Sequence, residues 1–388
     1  MMPQKIISKR EFFKTSALSI TALGCGFCNL KSFSIPILES SFSPLPYHAL
    51  SDEIGVEAKY YINTPKGLKC LLCPNECKML LNEEGDCRTR MNIDNKLMCI
   101  AYGNPCALHI DPIEKKPFYH FMPSSNSYSI ATAGCVLACL NCQNWEISQT
   151  SPKKTRNYDL PPDKVVDECI KNECKSIAYT YSDPVAFYEY TFDTAAIARE
   201  KGIKNVLVSS GYINEKPLRE WCKYIDAATI DLKSFSNEIY EMLNAGKLDP
   251  VLNSLKILKE EGVWLEISNL VVPTWTDDLE MIKRMCSWLV ENGFNKTPLH
   301  FLRFQPLYQL SNLPATPVST LEKAREIALT EGIDYVYIGN VPGSDAQNTF
   351  CPNCKKMVIE RTGFQITNFN ILNGKCKSCG SGINGIWN

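Results

Sequence analysis

The 388-residue chain lacks an excess of charge of either sign. Its net charge is −1, with acidic and basic residues interleaved and no long basic block, so nucleic acid is not expected as a partner. It also lacks an apolar run long enough to cross a bilayer, and no membrane-spanning helix is expected. No glycine-rich phosphate fingerprint follows the first strand candidate, which argues against a doubly wound dinucleotide-binding sheet. What the chain has in excess is cysteine, 19 residues in all, an odd number that cannot pair completely. Most of them stand two or three residues apart in tight loops. Such spacing suits several ligands converging on one metal, whereas disulfides more often join distant segments. Cys99, Cys106, Cys169, Cys174, Cys222 and Cys286 stand alone and read as small core residues.

Residues 1–45 read as a leader and linker. Ser8-Lys9-Arg10-Glu11-Phe12-Phe13-Lys14 precedes an apolar run from Thr15 to Phe27, the order of a secretory signal. The Lys-Arg pair resembles a twin-arginine (Tat) signal with Lys in place of the first Arg, which implies export or membrane association. The competing reading is an amphipathic leader that stays inside. Residues 46–120 form a cysteine-rich module, residues 121–345 a (β/α) domain and residues 346–388 a second small module.

In the central region, β-rich runs alternate with helical stretches. Strands are expected over Tyr128–Ala133, Ser176–Tyr181, Asn205–Ser210, Ala227–Leu232, Trp264–Val271, His300–Gln305 and Tyr335–Gly339. Four times a charged helical segment stops at a glycine (Gly202, Gly262, Gly293, Gly332) and an apolar strand follows. Glycine just past a helix takes the left-handed cap without steric cost. Helix, cap, strand, repeated, predicts a parallel sheet, here a partial (β/α) barrel with a core of six strands. Functional residues should then gather at the C-terminal strand ends.

Directly after the first strand comes Gly134-Cys135-Val136-Leu137-Ala138-Cys139-Leu140-Asn141-Cys142, a C-x3-C-x2-C loop. Thiolates are the protein ligands of iron–sulfur clusters, and three of them bind three irons of a cubane, leaving the fourth open. A zinc site wants a fourth ligand close by, and none follows. Two further sets flank the barrel. Cys70-x2-Cys73-x3-Cys77-x9-Cys87 supplies four thiolates, for which structural Zn is expected and an auxiliary iron–sulfur cluster is the rival. Cys351-x2-Cys354 and Cys376-x2-Cys379 form a zinc-ribbon pattern, with rubredoxin-like iron as the alternative.

The C-x3-C-x2-C loop resembles the signature of the radical S-adenosylmethionine (SAM) superfamily. The runs Cys106 to Pro117, His120-Phe121-Met122-Pro123, Ser129 to Cys135 and Cys142 to Gln149 narrow the resemblance. They look like the radical SAM enzyme of the AmmeMemoRadiSam system, a family similar to pyruvate formate-lyase activating enzymes. The resemblance implies a [4Fe–4S] cluster on Cys135, Cys139 and Cys142 whose open iron binds SAM. It also implies reductive cleavage of SAM to a 5′-deoxyadenosyl radical. Memo-like and AMMECR-like partner proteins are implied, with a flavodoxin or ferredoxin as electron donor. Catalysis would then use cytoplasmic supplies, against the export read from the leader.

The resemblance also carries over site residues. Thr180-Tyr181-Ser182-Asp183-Pro184 stands where the family has Thr-Tyr-Asn-Glu-Pro, a segment that contacts SAM; Asp183 reads equally as a helix N-cap before Pro184. Ser209 and Ser210 end the third strand. Asp231 and Lys233 resemble the Asp-x-Lys that lines the SAM pocket of activating enzymes. Asn340 ends the last strand. Arg303 is a candidate carboxylate clamp, expected on one face of the sixth strand with His300 and Gln305. The aromatic residue usual before the third cysteine is Asn141 here, and Trp145 is the candidate replacement. The polar run His109, Asp111, Glu114, Lys115 and Lys116 reads either as a loop over the barrel mouth or as a solvated connector. Two alternatives to the leading function stand: a glycyl-radical-enzyme activating enzyme, and a non-catalytic zinc-rich scaffold.

Overall fold

A computed structural model describes residues 47–48 and 55–387. The sequence expectations for residues 1–45 lie outside the described residues. The central element is an eight-stranded sheet: β1 (Ala107–Pro112), β2 (Asn126–Ala131), β3 (Ser176–Tyr179), β4 (Lys204–Ser209), β5 (Ala227–Asp231), β6 (Trp264–Val271), β7 (Leu299–Arg303) and β8 (Val336–Gly339). The strands lie in sequence order. β2 to β8 are parallel, and β1 pairs antiparallel with β2.

Six helices connect the parallel strands in turn: α1 (Pro162–Lys171), α2 (Tyr188–Glu200), α3 (Glu215–Cys222), α4 (Leu248–Glu260), α5 (Leu279–Glu291) and α6 (Val318–Glu331). Crossovers between parallel strands share one hand, so a strictly sequential order puts every helix on the same side of the sheet. A doubly wound sheet needs a reversal of order, and there is none here. The result is an open (β/α) barrel, since β1 and β8 are edges that do not pair with each other. Its strands are buried on both faces, as parallel strands are; five consecutive residues of β6, Leu265 to Asn269, are buried.

The four glycines Gly202, Gly262, Gly293 and Gly332 all have positive φ, from 73° to 105°, directly after α2, α4, α5 and α6. The expected strands are all present. The expected six-stranded core is corrected to seven parallel strands, because β8 continues the parallel ladder. Of the polar run from His109 to Lys116, His109 and Asp111 lie not in a loop but in β1, an edge strand paired over six residues, and Glu114 and Lys115 lie in the 3-10 turn that follows it. The place of β1 in the barrel sheet also moves the start of the barrel ahead of residue 121.

The N-terminal module is built from two three-stranded antiparallel sheets. It is locked to the barrel by Arg90, which makes a buried two-pronged contact with Glu189 on α2 at 2.5 and 2.6 Å. Such a pair is costly to break because either partner alone leaves a buried charge. The C-terminal module packs at the opposite end from the cysteine loop. Arg361 donates to the Tyr119 carbonyl at 2.9 Å and lies 4.3 Å from the centre of the Tyr119 ring. Beneath it, Glu266 accepts from the backbone N–H groups of Tyr119 and His120 and pairs with His300 at 2.7 Å. This network sits near the N-terminal strand ends, where residues serve stability rather than chemistry. No helix among the described residues is long and apolar enough to cross a membrane.

Candidate active site

All described cysteines are free thiols. The isolated Cys99, Cys169, Cys174, Cys222 and Cys286 are buried core residues, and Cys106 is half-buried.

The cysteine loop leaves the end of β2 at Gly134, whose φ of +96° only glycine adopts easily. A Cβ there would stand 2.4 Å from both the Cys87 carbonyl oxygen and Thr89 Cγ2. The loop is held at its middle by backbone bonds to the helical turn Tyr240–Asn244: Ala138 N–H to the Asn244 carbonyl at 3.1 Å, and Leu140 N–H to that of Leu243 at 2.9 Å. Gly134 N–H closes the loop onto the Ile147 carbonyl at 2.9 Å.

Burial pushes the thiols of Cys135, Cys139 and Cys142 above their usual range. Lys233 opposes this at both Cys139 and Cys142, favouring the thiolates. Ser148 and Gln149, close by, act the same way on Cys142. The Asn244 side-chain amide is wholly buried with no hydrogen-bond partner, and its nearness favours the charged form of Cys139. Bare thiols in such a pocket stay protonated; donors aimed at sulfur fit thiolates bound to a cationic metal centre.

Asp231 and Lys233, at the end of β5, stand beside this loop. Their charged groups meet at 3.0 Å, and Ser268 on β6 donates to the other Asp231 oxygen. Burial lowers Lys233, but Asp231 and the neighbouring Cys139 outweigh it and hold the ammonium charged. The Tyr240 hydroxyl accepts from Lys233 N–H at 3.0 Å.

The Thr180–Asp183 segment does not present its side chains as a row. Ser182 is buried and donates to the Thr132 carbonyl at 2.7 Å. Tyr181 has φ +66° and turns away, its hydroxyl donating to Asp111 on β1. Asp111 also binds Lys115 at 2.7 Å and Lys116 at 2.5 Å. Burial lowers Lys116 to about 8 despite Asp111. Burial would raise Asp111, but the two lysines and Tyr181 hold it below the usual carboxylate range.

Asp183 is the N-cap, accepting from Val185 N–H at 3.1 Å with Pro184 next in the chain. Its carboxylate also accepts from the Ser209 hydroxyl at 2.9 Å, from Ser210 N–H at 3.0 Å and from the Ser210 hydroxyl. Four donors fill a carboxylate. The N-cap reading of Asp183 therefore holds, and the same carboxylate orients Ser209 and Ser210, both buried at the end of β4. Thr180 is buried against β2, its N–H bound to the Ile130 carbonyl at 3.1 Å.

Arg303 at the end of β7 donates through Nε to the Thr316 carbonyl at 2.9 Å. Asn340, with φ +62°, is exposed and donates to the Arg303 carbonyl at 3.2 Å. His300 does not share the face of Arg303 and Gln305. Strand residues three apart point to opposite sides, and His300 points into the buried Glu266 network. Trp145, in the helical turn after Cys142, stacks on Tyr308 at 5.2 Å with 12° between the rings and stays partly exposed.

The two metal settings differ in spacing. Cys351, Cys354, Cys376 and Cys379 bring their four sulfurs within 4.8 Å of one another. The pairs Cys351–Cys379 and Cys354–Cys376 stand at 3.7 and 3.8 Å. Four sulfurs at about 2.3 Å from one tetrahedral zinc stand about 3.8 Å apart. Among the described residues this is the only group of three or more ligands so close. The sulfurs of Cys135, Cys139 and Cys142 do not all come within that distance of one another, a setting that would suit thiolates on separate irons.

Comparison with known proteins accords with the loop. The sequence model of the radical SAM superfamily matches residues 129–286. Uncharacterized protein MJ0808 of Methanocaldococcus jannaschii is 42% identical over 318 residues, 81% of this chain and 95% of that one. The pyruvate formate-lyase 1-activating enzyme of Escherichia coli is 22% identical over 209 residues, 50% of this chain and 85% of that one. This chain belongs to the radical SAM superfamily. It is an enzyme, and the reading as a zinc-rich scaffold falls. Membership implies a [4Fe–4S] cluster and SAM, and the donor set around Cys135, Cys139 and Cys142 fits them. Among solved structures, a domain of pyruvate-formate lyase-activating enzyme from Bacteroides vulgatus aligns with a TM-score of 0.37 and 14% identity, over 42% of this chain and 99% of that one.

Sequence reasoning missed Asn244, Tyr240 and Ser268. None carries a local motif; each reaches the site only because its segment folds beside the cysteine loop or β5.

Proposed function

We propose that this radical SAM enzyme modifies a substrate or partner protein within the AmmeMemoRadiSam system, acting with Memo-like and AMMECR-like proteins. The observation that carries the chemistry is the convergence of Lys233 and Asn244 on a buried loop that offers three thiolates. When bound, the cluster and SAM supply one-electron cleavage of the sulfonium to methionine and a 5′-deoxyadenosyl radical, which abstracts hydrogen. The chain's residues hold and shield that chemistry. Cys135, Cys139 and Cys142 would hold three irons. Lys233 offsets thiolate charge, and Asp231 with Ser268 fixes it in place. Ser209 and Ser210, held by Asp183, fix the backbone at the end of β4. Arg303 has guanidinium nitrogens beyond its Thr316 bond, which suit a carboxylate. Trp145 offers a flat apolar surface for an adenine ring. Zinc is assigned to the ribbon cysteines on their spacing.

The test is 5′-deoxyadenosine formation from SAM by anaerobically reconstituted, reduced protein, beside a Cys135/Cys139/Cys142→Ala variant. The proposal expects product from the parent chain alone, and more on adding the Memo-like or AMMECR-like partner. No product from a chain holding a reduced cluster, with or without those partners, sinks it. Similarity to an activating enzyme supports a second reading, formation of a glycyl radical on a partner enzyme. An organic radical signal on mixing with a glycyl radical enzyme would select that reading.

A further inference from the structure

The four cysteines of the N-terminal module line a cavity together. Cys70, Cys73, Cys77 and Cys87 share it with Leu72, Met79, Gly85, Arg90, Val136 and Val185. Cys70, Cys73 and Cys87 are buried and Cys77 is half-buried. Four cysteines that converge on an enclosed space form a ligand set, and their number closes a site without help from solvent.

The ribbon provides an internal standard for what a single ion requires. There, four sulfurs draw within 4.8 Å of one another, with pairs at 3.7 and 3.8 Å. In the N-terminal module no three sulfurs come that close among the described residues, although all four face one cavity. A cubane spreads its terminal thiolates to roughly 6 Å because four irons and four sulfides stand between them. The sulfurs of Cys135, Cys139 and Cys142 likewise do not all fall within 4.8 Å of one another.

The surroundings supply donors to sulfur. Asp86 N–H donates to Cys77 Sγ at 3.4 Å, and Arg90 Nη1 lies 3.9 Å from Cys70 Sγ. Thr89 Oγ1 lies 3.1 Å from Cys87 Sγ. Arg90 is wholly buried and brings a positive charge to the rim of the cavity. Hydrogen bonds and charge near the sulfurs are what tune an iron–sulfur cluster.

The cavity also abuts the radical chemistry. Val136, the residue after Cys135, is one of its walls. Asn75, between Cys73 and Cys77, donates to the Val136 carbonyl at 2.9 Å. Gly134 packs so tightly on Cys87 and Thr89 that a methyl group has no room.

We infer that Cys70, Cys73, Cys77 and Cys87 hold a second cubane iron–sulfur cluster, seated directly against the loop that carries the first. It takes the iron–sulfur alternative for this module in place of structural zinc. It does not depend on the SAM-cleaving activity, because the ligands and the readout are separate.

The experiment is the iron, zinc and acid-labile sulfide content of anaerobically purified, reconstituted full-length protein. Beside it stand the Cys135/Cys139/Cys142→Ala variant and a Cys73→Ser/Cys87→Ser variant. The inference expects about eight iron, about eight sulfide and about one zinc per chain. It expects about four sulfides to survive in the loop variant and about four to be lost from the Cys73/Cys87 variant. It is overturned by about four sulfides in the parent chain, all lost in the loop variant, with about two zinc ions per chain. If either variant fails to fold, the iron, sulfide and zinc totals of the parent chain decide alone. Loss of 5′-deoxyadenosine formation with these totals intact would refute the proposed activity and leave the second cluster standing.

Discussion

Lys233 and Cys139 shift each other's charge: the nearby cysteine helps hold the ammonium protonated, and the ammonium draws the buried thiol toward thiolate. The two residues come from β5 and from the loop after β2, and only the barrel brings them together.

Replacing that ammonium with an apolar chain of similar length removes the charge while keeping the packing. For Lys233→Met we expect reconstituted iron to fall and 5′-deoxyadenosine formation to drop about tenfold or more, equivalent to about 1.4 kcal/mol. Iron analysis and a single-turnover assay check it together. Unchanged values in both would remove Lys233 from the site.

Gly134→Ala should be among the most damaging single changes in the chain. Its Cβ would collide with a backbone oxygen, and its φ is one that alanine resists. The expected outcome is a soluble protein with less than about half the parent iron, since the loop and the Cys87 turn must separate to relieve the clash. Iron analysis beside a thermal melt checks it.

Asp183→Ala removes an N-cap and leaves Ser209 and Ser210 without their acceptor. Loss of the cap costs about 1 kcal/mol, and the unsatisfied hydroxyls add to it. Denaturant unfolding of the protein measures the total. Asp183→Asn should restore part of the loss, because an amide oxygen still caps the turn.

His120 is buried, and burial lowers its imidazole from 6.5 to about 4 despite the nearby Glu266. It stays neutral when folded but takes a proton when unfolded below pH 6.5. Its contribution is therefore complete above about 6.5 and declines as pH falls toward 4, by up to about 3 kcal/mol. Unfolding free energies at pH 7 and pH 5 should differ in the parent chain, and the difference should shrink in His120→Gln. An equal difference in both would assign the acid sensitivity elsewhere.

Local pattern was enough wherever ligands or caps sit close in the chain. Cys135, Cys139 and Cys142 were legible because one loop carries all three. The helix ends at Gly202, Gly262, Gly293 and Gly332 were legible because a left-handed residue favours glycine whatever surrounds it. The strands followed from short apolar runs, and the ribbon from two C-x2-C pairs.

Other features depend on neighbours that sequence distance hides. Asp183 and Ser210 are 27 residues apart, and the carboxylate's role as an aligning group appears only when β3 and β4 lie side by side. His300 shared a supposed face with Arg303 until strand parity and the Glu266 partner placed it in the buried network. The run from His109 to Lys116 read as a mouth loop or a solvated connector because its charges are dense. Its first part, to Pro112, is an edge strand paired with β2, and Asp111, Lys116 and Tyr181 satisfy one another across 70 residues.

The sequence by itself determined the type of chemistry, since three thiolates at that spacing after a strand leave one iron of a cubane open. It also determined the repeating β/α architecture. Tertiary structure alone decided the spacing of the Cys70, Cys73, Cys77 and Cys87 sulfurs and their place against Val136. The reason is that ligand identity is written in the residue, whereas the distance between ligands depends on how packing sets their backbones apart.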